Sequence, residues 1–223
     1  MARPREFTVD LHVHSVFSGE SLADPKDIIE SALQRGLDAI CVTEHDSLSA
    51  SLPFVEISKD YHLTVFRGVE ISTDSGHMLV YGVEDDAWKD WGKSGSVHAK
   101  ELIERVRDLG GAVVPAHPYI AECNGLYDVN PRISVDERIR GLDGISAIEV
   151  CNGKAAKYPA ICHMLSDYAK SVGLPGTGGS DAHVPESVGR AYTVFRTPIH
   201  SSQALVTAIE SGEFYPRVSS ISS

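Results

Sequence analysis

Phe7-Thr8-Val9-Asp10-Leu11-His12-Val13-His14 reads as a strand of alternating apolar residues that ends in two histidines. Residues two apart on a strand share a face, so both imidazoles point the same way. Four later segments repeat the theme: Thr43-Glu44-His45-Asp46, Gly68-Val69-Glu70, Pro115-Ala116-His117-Pro118 and Gly179-Ser180-Asp181-Ala182-His183. Each closes an apolar, strand-like run with an imidazole, a carboxylate or both. A chain that repeatedly ends strands on metal-ligand chemistry is assembling one site from many segments.

The spaces between these segments read mostly as helices. Leu22 to Gly36 has Asp24 as a cap, Pro25 in the first position and Ile28, Ile29, Ala32 and Leu33 at helical spacing. Further helices are predicted over 49–62, 97–109, 135–141, 156–172 and 201–211, and strands over 37–43, 63–70, 76–83, 112–116, 145–150, 174–179 and 191–195. The strand at 76–83 is placed as a hairpin neighbour of the one before it. Residues 85–95, which hold both tryptophans, and 119–134 read as loops, the second lying over the site. Strand–helix alternation predicts an α/β fold with parallel strands and crossover helices. Polar residues at the carboxyl ends of the strands are the pattern of a barrel active site.

Length and composition fit one domain, residues 1–223, with 42% hydrophobic and 23% charged residues. The net charge of -11 opposes broad electrostatic binding of long nucleic acid. The four cysteines, Cys41, Cys123, Cys151 and Cys162, form no CxxC pair, which argues against a zinc ribbon. The N-terminus runs into a strand without the apolar core of a signal peptide, and no stretch approaches the roughly 20 apolar residues of a membrane span. A cytoplasmic location is the expectation; oligomeric state is not legible.

Imidazole and carboxylate are ligands shared by zinc, manganese and iron. His12 and His14 can hold one ion. Glu70, following a strand, can bridge two ions, as two-metal hydrolases require at a separation of about 3.5–4 Å. Asp181 and His183 again share a face. His45 and His117 each close a strand, and Glu20, in the loop after His14, can complete a third ion. A lone histidine is more often an ordinary core or surface residue, but histidines at successive strand ends are not independent accidents. His77 stands between the two readings, since it starts a strand yet lies near Glu70. His62, His98, His163 and His200 fall in or beside helices and are read as ordinary.

In the same order, Asp-Leu-His-Val-His-Ser, Thr-Glu-His-Asp, Gly-Val-Glu-Ile, Ala-His-Pro and Gly-Ser-Asp-Ala-His make the chain resemble the polymerase and histidinol phosphatase (PHP) family over nearly its whole length. The resemblance implies a distorted (βα)7, TIM-like barrel and two or three divalent metal ions. Carried over motif by motif, His12, His14, Glu70 and Asp181 look like ligands of a first ion. Glu70 would bridge to a second that also takes His117, and His45 and His183 look like ligands of a third. Where family members often carry Asp or His in the loop after the first motif, this chain offers Glu20 in Ser18-Gly19-Glu20-Ser21.

A hydroxide shared by two metal ions is a strong nucleophile at neutral pH, and the ions neutralise phosphoryl oxygens. Phosphate ester hydrolysis is the natural reaction, with His183 or Asp46 delivering a proton to the leaving group. Arg190 and Lys154 are candidate phosphate clamps. Asn152 and Tyr119, beside motif segments, are candidates to hydrogen-bond the leaving group. The expected substrate is a small phosphorylated molecule of the nucleotide or histidinol phosphate type, hydrolysed as a monoester. The alternatives are a phosphodiesterase or exonuclease on short oligonucleotides, and a non-catalytic metal-binding module.

Overall fold

The computed structural model describes residues 5–86, 97–119, 121–123, 126–128 and 131–219. Strands β1 (Phe7–Val13), β2 (Ala39–Val42), β3 (Thr64–Thr73), β4 (Gly76–Tyr81) and β5 (Ala112–Pro115) build most of one curled sheet. Strands β10 (Ala191–Phe195) and β11 (Phe214–Val218) complete it in the order β11-β10-β1-β2-β3-β4-β5. A short pair, β6 (Ala121–Cys123) and β7 (Leu126–Asp128), stands apart. So does the parallel pair β8 (Ile148–Asn152) and β9 (Gly176–Gly179). The helices are α1 (Pro25–Gln34), α2 (Leu52–Ile57), α3 (Ala99–Asp108), α4 (Pro131–Ile139), α5 (Pro159–Ser171) and α6 (Ser202–Ser211). Among the described residues no helix is long and apolar enough to cross a membrane.

The sheet is mixed: the hairpin expected at 76–83 forms, while β5 and β10 depart from the expected parallel crossovers. β1, β2 and β3 are parallel, whereas β4 runs antiparallel to both β3 and β5. The reason is local: Thr73 to Gly76 is a tight turn, and Gly76 takes φ +98. No crossover helix fits in so short a link. β10 and β11 are likewise antiparallel additions on the other side of β1. β8 and β9 lie between the two ends. Ser146 N donates to Val113 O (2.8 Å), while Asp181 N donates to His12 O (2.8 Å) and His14 N to Ala182 O (3.0 Å).

Three segments differ from the sequence reading. Residues 119–134 are not one irregular loop: they hold β6, β7 and the first turn of α4. β11 was not anticipated, and 49–62 is a short α-helix between two 3₁₀ turns. Of the loop expected over 85–95, residues 87–95 lie outside the described residues.

The cap at Asp24 acts as read. Asp24 Oδ1 accepts from Lys26 N (2.9 Å), and Pro25 opens α1, whose Ile28, Ile29 and Ala32 are buried. Ser201 caps α6 by accepting from Ala204 N (3.1 Å). Apolar residues on one face of the sheet (Val9, Leu11, Cys41, Phe66, Leu79, Val114) pack with Leu205 and Ile209 of α6. On the other, Ile40 and Val42 pack under α1, and Val69, Met78, Val80 and Val113 under α3 and α5. This packing leaves the carboxyl ends of β1, β2, β5, β8 and β9 to carry polar side chains.

Candidate metal centre

All nine residues proposed as ligands meet in one network. His12 and His14 converge because they leave the end of β1 on one side; their Nε2 atoms lie 2.9 Å apart. Glu70 Oε2 is 3.2 Å from His12 Nε2 and 3.0 Å from His14 Nε2. Asp181 Oδ1 is 3.7 and 3.5 Å from the same two nitrogens. These spacings bear on whether a metal fits. Ligands about 2.0–2.1 Å from a tetrahedral ion stand about 3.3 Å from one another. The observed separations bracket that edge, and the donor atoms of His12, His14 and Glu70 all lie within 4.8 Å of one another.

Glu70 faces two ways. Its Oε2 turns to His12, His14 and His45 Nδ1 (3.3 Å), and its Oε1 to His117 Nε2 (2.9 Å) and His77 Nδ1 (2.9 Å). His45 and His183 share with His14 a second cluster of convergent donor atoms, and His45, Glu70 and His77 form a third. His14 stacks on His45 with ring centroids 4.4 Å apart, and His183 lies 4.6 Å from His14. Glu20 reaches this group at its exposed edge, 3.8 Å from His45 Nε2.

The electrostatics call for cations. Glu70, Asp181 and Glu149 are all buried, and buried carboxylates are costly unless compensated. Burial pushes Glu70 up, but charge on His12 and hydrogen bonds from His117, His12 and His14 hold it well below the usual carboxylate range. Asp181 is likewise held down, against its burial, by His12, His117, His14 and Lys154. Burial works against protonating His12, yet Glu70, Glu149 and Asp181 raise it well above its ordinary value. Burial lowers His14 to about 4. Acidic groups that stay ionised beside a neutral imidazole match the chemistry of divalent zinc, manganese or iron.

The backbone is strained here and only here among non-glycine residues described. Asp46 (φ 48), His117 (φ 28) and Asp181 (φ 51) occupy the left-handed region. Each has its N–H tied to another part of the site: Asp46 N to Glu70 O (2.9 Å), His117 N to Glu149 Oε2 (2.8 Å) and Asp181 N to His12 O (2.8 Å).

The other expected residues divide. Lys154 Nζ lies 3.1 Å from Asp181 Oδ2. Arg190 and Lys154 line a cavity of about 350 Å³ together with Lys157, Ser180, Asp181, His183 and Glu20. Asn152 does not face that cavity: it is fully buried, its amide donating to Glu149 Oε2 (3.2 Å) and its oxygen accepting from Lys154 N (2.9 Å). Tyr119 is buried, and burial pushes its hydroxyl up. Asp46 spends both carboxylate oxygens on Ser72, accepting from its N (2.9 Å) and its Oγ (3.3 Å). His183 keeps Nδ1 3.0 Å from Asp181 O. Glu149 was missed. A single carboxylate within the apolar run Ile148-Glu149-Val150 was the available signal.

A family model described as PHP domain matches residues 10–136, and a second, described as PHP-associated, matches 164–214. The chain belongs to the PHP domain family. Similar proteins include a probable phosphatase of Caldicellulosiruptor bescii, 27% identical over 203 residues, with 82% of each chain covered. An uncharacterised protein of Methanocaldococcus jannaschii is 28% identical over 192 residues, 84% of this PHP domain chain and 70% of its own length. A two-domain protein from Bacteroides vulgatus, whose structure is described as containing a predicted PHP-like metal-dependent phosphoesterase, superposes with a TM-score of 0.68 at 19% identity. That match covers 96% of this chain and 65% of the longer one, and shows a shared fold.

Proposed function

We propose that the protein is a phosphomonoesterase acting on a small molecule, with Glu70 bridging two of two or three divalent ions. The observation that carries this is the two-sided environment of Glu70, with one oxygen toward His12, His14 and His45 and the other toward His77 and His117. In this reading His12, His14 and Asp181 hold one ion, His117 and His77 another, and His45, His183 and Glu20 a third. The curled sheet, bridged by β8 and β9 from β5 back to β1, is read as a distorted barrel of the TIM type.

Bound divalent ions supply a nucleophile at neutral pH by lowering the pKa of water, and they neutralise phosphoryl charge. The chain's own residues supply the rest. Lys154 and Arg190, on the wall of the cavity beside Asp181 and His183, hold the phosphoryl oxygens. His183 also lines that cavity, and with only two ions bound it is the group that would hold the proton for the leaving oxygen. Asp46 is not assigned that task, because Ser72 occupies its carboxylate. The size of the cavity, about 350 Å³, is that of a small-molecule site. Its cations are gathered in one recess rather than spread along a groove, which favours a small ester over an oligonucleotide.

The test is phosphate release from a panel of phosphomonoesters, including histidinol phosphate and mononucleotides, with manganese or zinc added and a chelator control. Short oligonucleotides belong in the same assay. The expected result is release from a small ester, abolished by chelation and reduced by at least about 10²–10³-fold in Glu70→Ala. Cleavage of oligonucleotides alone would overturn the monoesterase reading, and full activity of Glu70→Ala would overturn the bridging role.

A further inference from the structure

β8 carries a carboxylate that the ligand set does not use. Glu149 is 1% exposed, deep between β1, β5 and β9. Its Oε1 accepts from His12 Nδ1 at 2.9 Å, and its Oε2 accepts from His117 N at 2.8 Å and from Asn152 Nδ2 at 3.2 Å. Space has been kept for it: a Cβ on Gly179 would come within 2.5 Å of His12 Cβ and 2.8 Å of Glu149 Oε1.

We propose that Glu149 is a positioning residue of the metal centre, one buried carboxylate that fixes the ring of His12 and the backbone of His117 together. It touches neither substrate nor metal. By accepting at Nδ1 it holds the His12 proton there, which leaves the Nε2 lone pair facing His14, Glu70 and Asp181. By accepting from His117 N it holds a left-handed residue, φ 28, that would otherwise relax away from Glu70 Oε1. Glu70 joins these two histidines on the metal side, and Glu149 joins them from behind. Asn152 extends the brace, since its side chain donates to Glu149 and accepts from Lys154 N. The residue that clamps phosphate in the proposed function is thus fastened to the part that orients metal ligands. Gly153 closes the link at contact distance, because a Cβ there would sit 2.0 Å from Ser180 O.

The inference rests on the metal-centre part of the proposed function and not on its substrate. Glu149→Gln is the informative variant. Its amide places an N–H against either His12 Nδ1–H or His117 N–H, whichever way it turns, so one of the two bonds fails. Zinc affinity is read by competition with a chromophoric chelator, and thermal unfolding is followed with chelator and with zinc. The expected result is a folded protein with affinity weakened roughly 10–100-fold and a smaller zinc-induced rise in Tm. A merely structural carboxylate would lower the Tm of the chelated protein and leave the zinc-induced rise unchanged. That outcome, or affinity within about two-fold of the parent, overturns the proposal. If Glu149→Gln does not fold, Glu149→Asp, which keeps the charge but draws it back by one methylene, is read by the same two measurements. Neither measurement uses turnover, so a protein whose zinc affinity depends on Glu149 but which hydrolyses no ester would fail the proposed function and leave this inference standing.

Discussion

Asp10 shares the first motif with His12 and His14, but its side chain serves the backbone. It is fully buried, and its oxygens accept from Ser180 N (2.8 Å) and Gly189 N (2.7 Å), which pins the segment holding Asp181 against β1. Asp10→Ala leaves two buried N–H groups unpaired and should destabilise the protein by about 2–4 kcal/mol in urea unfolding. Burial pushes the Asp10 carboxyl up to about 6. A carboxyl raised in the folded state contributes most below its unfolded value, near 4, and loses that contribution as pH rises through about 6. The deficit of Asp10→Ala in chelated protein should therefore be larger at pH 5 than at pH 8; an equal deficit would mean Asp10 titrates normally. Which side chains gather was legible at this scale, because His12, His14, Glu70, Asp181 and His183 lie in motifs whose chemistry is visible in the residue types. The roles of Asp10, Glu149 and Asn152 were not, because a buried polar side chain shows its partners only once distant strands are placed. The histidines set aside also sort by contact: His98 pairs with Asp74, and His200 lies edge-on to Phe7.

Elements were read best where their ends are marked by local chemistry, as at Asp24-Pro25. α3 shows the opposite case. Its first N–H is capped from outside the helix: Asp74, in the β3–β4 turn, accepts from Ala99 N (2.9 Å) and pairs with His98 Nδ1 (2.9 Å). Burial pushes Asp74 up, but those two partners outweigh it and hold the carboxyl below its ordinary value. Asp74→Ala should cost about 1 kcal/mol in thermal or urea unfolding at neutral pH. Because the carboxyl is depressed, its contribution is present above about pH 4 and lost as pH falls through the folded value. The difference from the parent should vanish in acid; a difference that persists there would assign the cost to packing. β11 escaped the sequence because Phe214-Tyr215-Pro216-Arg217-Val218 lacks alternation and contains a proline, which an edge strand tolerates and a central one does not. β6 and β7 are three residues each, too short to show a period.

At the scale of the whole molecule, strand–helix alternation fixed the α/β class and the carboxyl-end location of the site, but strand direction came from a turn. The antiparallel β4 follows from a link too short for a helix, information that sits in four residues rather than in a pattern. In the proposed ligand set the donors come from β1, β3, β4, the ends of β2 and β5, and the segments after β1 and β9, so metal binding would stabilise contacts among these strands. With free metal at about 1,000 times its dissociation constant, linkage adds about 4 kcal/mol. Chelation should then lower Tm by about 8–16 °C in a domain of this size. Calorimetry with and without chelator tests this, and an unchanged Tm would show that the site is too weakly filled to matter for stability.

The knots at Asp46, His117 and Asp181 set an order in time. A chain leaving the ribosome presents His12 and His14 first and Asp181 and His183 about 170 residues later. The nascent histidine pair has neither Glu149 behind it nor Asp181 beside it, and the carbonyl of His12 waits for an N–H that has not yet been synthesised. The complete donor set exists only when the segment after β9 docks on β1. In the proposed ligand set, metal selection would belong to that docking step rather than to the early histidine pair alone.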